Sequence, residues 1–181
     1  MKTVVLIMLL VFAAYGERLQ ADQGRDLFDV SAKGSIGATG DLGTAELEVL
    51  RLFNIERSKG GLCGGTVWIP PSPPLVMDPA LRTAARAHSS DMSLRNYFSH
   101  TSFDGRTWLD RINGSGFVGY PAGENIAAGY TTPAAVVRGW MSSPGHCRNI
   151  LSSYSTLIDI GWSYRVSSSY RFYWTADFGT R

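Results

Sequence analysis

The 181-residue chain lacks an excess of either charge sign: 17 Lys and Arg stand against 15 Asp and Glu, scattered singly, for a net charge of +2. A nucleic-acid groove or an anionic membrane surface asks for a basic cluster, so the sequence points to neither partner. Long apolar runs are also missing, apart from residues 4–14. Those eleven residues would make a helix of about 16 Å at about 1.5 Å per residue, short of a bilayer core of about 30 Å. Lys2 precedes the run, and small residues follow at Ala14 and Gly16. It therefore reads as a signal peptide within residues 1–21, cleaved after about residue 16 or after Ala21, with a signal anchor as the alternative. No integral membrane segment is expected after cleavage, and no lipidation or retention signal closes the chain. Several catalytic signatures are absent: an H-E-x-x-H helix, a G-x-S-x-G elbow and a phosphate-cradling glycine loop. The glycines at 60, 61, 64 and 65 flank Cys63 instead.

Cysteine is scarce, with only Cys63 and Cys147. In an oxidising compartment two buried thiols pair; the alternative is two reduced core cysteines. A bridge would close a loop of about 85 residues, a constraint on the order of 4–5 kcal/mol.

What is abundant is apolar and aromatic residues, at 44% and 12%, enough for a core and against global disorder. Residues 22–43 are rich in Gly, Ser, Ala and Asp without periodicity and read as a flexible leader. The domain is expected over residues 44–181. Leu47, Leu50 and Phe53 recur at helical spacing from Thr44, a plausible N-cap, to Lys59, with Gly60 and Gly61 as the stop. Residues 64–74 read as a Pro/Gly-rich loop. Asp78-Pro79 opens a second helix with the stripe Leu81, Ala85, His88 and Met92. A third fits residues 106–113. Thr132-Pro133 opens a fourth, carrying Val136, Val137 and Trp140 and stopped at Pro144-Gly145. Residues 157–166 and 170–178 then switch to β-branched and aromatic residues, an antiparallel hairpin. Helices around a small antiparallel sheet make an α+β layered domain.

Three short segments carry candidate chemistry: Phe98-Ser99-His100, Gly123-Glu124-Asn125 and Ser143-Pro144-Gly145-His146. Each is read as lying past a helix or in a Gly-flanked turn, where a scaffold presents groups to a cleft. Imidazole and carboxylate suit zinc, so His100, His146 and Glu124 are candidate ligands. The alternative is two histidines that merely bond to neighbouring loops. His88, on an apolar stripe, reads as an inward-facing histidine rather than a ligand. Trp108 and Trp140 read as core aromatics. Asn113-Gly114-Ser115 fits a glycosylation acceptor, relevant only in a host that glycosylates secreted chains.

Residues 140–151 (Trp-Met-Ser-Ser-Pro-Gly-His-Cys-Arg-Asn-Ile-Leu), 123–127 (Gly-Glu-Asn-Ile-Ala), Asp91-Met92 with Phe98-Ser99-His100, and Tyr173-Trp174 with Phe178-Gly179 occur in one order across the domain. Together they resemble the CAP superfamily, also called the SCP domain, in its bacterial-like branch. The resemblance implies a three-layer α-β-α sandwich with a cleft lined by two histidines and two acidic residues, able in some members to bind zinc. It makes His100 and His146 the cleft histidines and Glu124 the first acid, with Asn125 and Ser143 lining the cleft. The position that often carries the second acid is Ser143, which cannot act as a carboxylate base. The implied role is a secreted, monomeric, non-enzymatic binding module for a small apolar ligand such as a sterol or lipid, or for a cell-surface component. Zinc is an optional cofactor. The alternative is a metal-dependent peptide or ester hydrolase in which Glu124 activates water.

Overall fold

The structure, a computed structural model, describes residues 43–181. The expected signal peptide and nearly all of the leader lie outside the described residues. Helix α1 spans Thr44–Lys59. Its N-cap is Gly43 rather than Thr44, because the Glu46 carboxylate reaches back to accept the Gly43 N–H at 3.3 Å and fixes the first turn one residue earlier. Gly60 ends the helix at φ 65°, where an added Cβ would meet Ile69 O at 2.5 Å, so no other residue fits that stop.

The stretch expected to be all loop contains a small hairpin. Strands β1 (Gly61–Cys63) and β2 (Val67–Ile69) pair antiparallel through Leu62 and Trp68. Gly64 and Gly65, at φ 70° and 75°, turn the chain between them, and those same glycines hid the strands from pattern reading. β3 (Val76–Met77) then pairs parallel with a later strand.

Helix α2 (Pro79–Arg95) begins as the sequence asks: Pro79 is its first residue, and Asp78 accepts from Ala80 N at 2.9 Å and Leu81 N at 3.3 Å. Helix α3 (Trp108–Gly114) starts two residues later than expected, because Thr107 and Asp110 form a capping box. β4 (Tyr120–Ala128) was not legible as a strand: Pro121 and Gly123 interrupt it, and a register shift falls between them. Glu124 and Asn125 therefore stand inside a strand, not in a turn. Helix α4 (Pro133–Ser142) is capped by Thr132. Pro144 ends α4 as expected and at once occupies the first turn of helix α5 (Pro144–Leu151), which places His146 on a helix. β5 (Leu157–Tyr164) and β6 (Phe172–Thr180) form the expected antiparallel pair.

The main sheet runs β3-β5-β6-β4. Alternation along β5 and β6 sends their side chains to two faces. Ile158, Ile160, Trp174, Ala176 and Phe178 pack with Phe53 of α1, Trp140 of α4 and Leu151 of α5. On the opposite face Leu157 joins Leu81 of α2 and Ile112 of α3, and Tyr173 joins Met92 and Ile126. The domain is thus an α+β, three-layer α-β-α sandwich. Gly161 lets α2 lie directly on the sheet, since a Cβ there would sit 2.3 Å from Arg86 N.

Two long-range ties hold the first layer. Cys63 and Cys147 are disulfide-bonded with Cα atoms 5.5 Å apart, joining the small hairpin to α5. Arg57 is fully buried and donates to Pro73 O, Ile150 O, Ser152 O and Ser155 O at 2.7–3.0 Å. Both ties fix α5 and hence the helix that carries His146.

Candidate functional site

The site is assembled from three elements. The loop after α2 supplies His100, β4 supplies Glu124 and Asn125, and α5 supplies His146. Glu124 is nearly fully buried, while the His100 side chain is half exposed beside it. His100 Nδ1 lies 2.7 Å from Glu124 Oε1. A carboxylate only accepts, so Nδ1 donates and Nε2 is left facing outward from that bond as the ring's other polar atom. The second Glu124 oxygen accepts from the Arg111 guanidinium. Burial pushes the Glu124 carboxyl up, but the His100 hydrogen bond and the charge of Arg111 together outweigh it and hold the group below its ordinary value.

Asn125 is fully buried and works as a clasp. Its amide donates to His146 O at 3.2 Å, and its oxygen accepts from Asn149 Nδ2 at 2.8 Å. These bonds hold the first and second turns of α5 against β4. His146 is half-buried, and burial followed by the nearby His100 lowers its pKa, favouring the neutral ring. Ser143 sits at the α4–α5 junction, half-buried, with its side chain making no capping bond. His88 faces inward, as its stripe predicts, at 1% exposure. Trp140 is core, its indole N–H donating to Ile126 O at 3.1 Å, whereas Trp108 is only partly buried. Asn113 is exposed near the end of α3.

Two residues of this network escaped sequence reasoning. Arg111, on α3, is buried and also donates to His100 O at 2.9 Å and Ser102 Oγ at 3.0 Å, so it anchors the His100 loop and Glu124 together. Asp177 stands directly across from Glu124 in the β4–β6 pairing, fully buried, with no donor to either oxygen. Burial first, and the Glu124 charge second, raise its pKa well above the ordinary carboxylate value, which disfavours the charged form. The available signal was a lone acid among apolar neighbours in a strand read as aromatic and β-branched. A cross-strand partner so distant along the chain has no one-dimensional signature.

Among the described residues, no group of three or more His, Cys, Asp or Glu side chains is arranged to hold a metal ion. The reason is visible in Glu124, whose two oxygens are engaged by His100 and by a guanidinium that repels a cation. Glu124 orients the His100 ring through the Nδ1 bond.

The profile of the cysteine-rich secretory protein family, CAP, matches residues 71–178. Bacillus subtilis YkwD is 41% identical over 117 residues, covering 65% of this chain and 42% of its own length. The B. subtilis membrane protein YlbC is 37% identical over 119 residues, covering 65% and 31%. The chain thus spans less than half the length of these curated relatives. An extracellular SCP-domain protein from Bacillus anthracis superposes with a TM-score of 0.61 at 28% identity, over 78% of this chain and 45% of that one. The fold also matches an outer surface protein of Borrelia burgdorferi, with a TM-score of 0.52 at 22% identity over 74% and 93%. Among the described residues no helix is long and apolar enough to cross a membrane. With the matched profile covering more than half of its length and its relatives bacterial, this chain belongs to the CAP family, in its bacterial-like branch.

Proposed function

We propose that this chain is a secreted, non-catalytic binding module whose cleft, at His100 and His146, takes a small apolar ligand or cell-surface component and holds zinc weakly. The observation that carries this reading is the state of the acids. Glu124 is engaged at both oxygens, and Asp177 is fully buried in the sheet, so neither is a free carboxylate base beside the histidines. A hydrolase would need one. Apolar surface is at hand: Phe98, two residues before His100, packs at 6.0 Å on Tyr170, and both rings are 44–50% exposed. The disulfide and the expected signal peptide support export, as does the likeness to an extracellular SCP-domain protein.

Zinc, where bound, would supply a Lewis acid in the cleft. His100 and His146 would hold it, and Glu124 would keep the His100 tautomer and orientation fixed. Calorimetric zinc titration of the purified chain at pH 7.5 should give weak binding that disappears in His100→Ala and in His146→Ala. It should fade below about pH 6, as imidazoles protonate. Partitioning of labelled sterol and fatty acid into the same protein should fall on Phe98→Ser. Zinc binding indifferent to both histidines would sink the metal reading. Zinc-dependent turnover of ester or peptide substrates, lost in Glu124→Gln, would sink the non-catalytic one.

A further inference from the structure

A separate cavity of about 130 Å³ lies between α2, the loop before α3 and α3 itself, lined by Ala84, Ala87, His88, Asp91 and Arg111, among others. It is larger than the share of one water, about 30 Å³. Neither His100, Glu124 nor His146 lines it. Two of its wall residues keep a buried polar atom with no partner: His88 Nδ1 and Arg111 Nε. The residues are 1% and 5% exposed, so solvent does not readily satisfy either atom.

The chemistry of the two atoms is fixed by their neighbours. His88 Nε2 lies 2.9 Å from Ser99 O. A carbonyl only accepts, so Nε2 carries the ring proton and Nδ1 is a bare acceptor. Burial drives the His88 pKa down to about 4, which keeps the ring in this neutral form at ordinary pH. Arg111 Nε–H, in contrast, is only a donor, and the rest of its guanidinium is engaged by Glu124, His100 O and Ser102. Two residues of the cavity wall therefore carry one unmet acceptor and one unmet donor. Its charges are already paired: Arg111 with Glu124, and Asp91 with Arg95 at 2.8 Å. Asp91 also accepts from the Tyr97 hydroxyl at 2.5 Å. A charged occupant would find no counter-charge here. A ketone or ether could not donate to His88, and a hydrocarbon would leave both atoms unsatisfied.

We propose that this cavity is a binding site for a small neutral alcohol, whose hydroxyl donates to His88 Nδ1 and accepts from Arg111 Nε–H while its short alkyl body rests on Ala84 and Ala87. The volume suits a molecule of roughly four waters' bulk. The site does not depend on the cleft reading above, although Arg111 belongs to both and forms the partition between them.

The test is a titration of the ¹⁵N-labelled full chain with isopropanol, read at the His88 imidazole nitrogens. A saturable shift at His88 Nδ1 is expected. Acetone, of nearly the same size but with no donor, should bind roughly two- to tenfold more weakly. Ala87→Leu, on the exposed side of α2, should fill the space and remove the response while the remaining amide spectrum stays folded; Ala87→Met serves as an independent filler. A shift that never saturates, equal binding of acetone, or an unchanged response in folded filler variants would overturn the proposal and leave the cavity to water.

Discussion

Reducing the Cys63–Cys147 bridge tests how α5, and with it His146, is held. The cysteines are 84 residues apart and both are buried, at 1% and 0% exposure. Opening the bridge frees a long loop in the unfolded chain. The chain-entropy relation gives about 15 cal/mol/K for a loop of this size, or about 4.6 kcal/mol at 25 °C. Reduction leaves the two thiols in place, so no cavity is created and the loss should be nearly all cross-link. This matters because a domain of this size is stable by only about 5–15 kcal/mol. The assay is urea denaturation of the oxidised and the fully reduced protein, followed by tryptophan fluorescence. Two changes are expected together: stability falls by about 3–5 kcal/mol, and the denaturant slope rises because the unfolded chain expands. Zinc affinity at His146 should fall in parallel, since α5 then keeps only its core packing and its ties to Arg57 and Asn125. A loss below about 1 kcal/mol, or a full-sized loss with an unchanged slope, would refute the unfolded-state account.

Other expectations follow from buried polar groups. Arg57→Met should cost at least about 3 kcal/mol in chemical denaturation, because several carbonyls lose a charged donor at once; a loss under about 1 kcal/mol would contradict the role given to it. Burial pushes the Asp159 carboxyl up from 3.8 to about 7, only partly offset by Arg82 at 3.2 Å. The folded state therefore favours the protonated acid: its contribution is full below about pH 4 and is lost as pH rises toward 7, on the order of 4 kcal/mol in all. Asp159→Asn should remove that slope, so its stability relative to wild type should improve steadily from pH 4 to 8; a difference independent of pH would count against it. Glu124→Gln should weaken zinc binding by about 10–100-fold while leaving the imidazoles in place, and calorimetry showing equal affinity would remove Glu124 from its orienting role.

How much was legible depended on whether a signal was local. Asp78-Pro79 and Thr132-Pro133 announced two helix starts, because a cap and a fixed φ act within one turn. The β5–β6 hairpin was legible because its period and residue types change abruptly. β4 was not, because Pro121 and Gly123 look like breakers in one dimension and become a bulge only against β6. The disulfide could be expected from compartment and count, and the motif segments named His100 and Glu124, which the fold brings into contact.

The sequence by itself determined the layers and some of the residues that meet, His100 and Glu124 among them. Amphipathic helices and alternating strands can bury their apolar faces in few ways, and the motif segments name their family. Only the tertiary structure decided what those residues do. It set Arg111 and His100 on the two oxygens of Glu124 and made Asn125 a clasp for α5. It also buried Asp177 in the sheet without a hydrogen-bond donor, and left His88 and Arg111 with one unpaired atom each. These are properties of burial and of distance between strands and helices. A hydrogen bond or a desolvated charge exists only once the chain has closed around it.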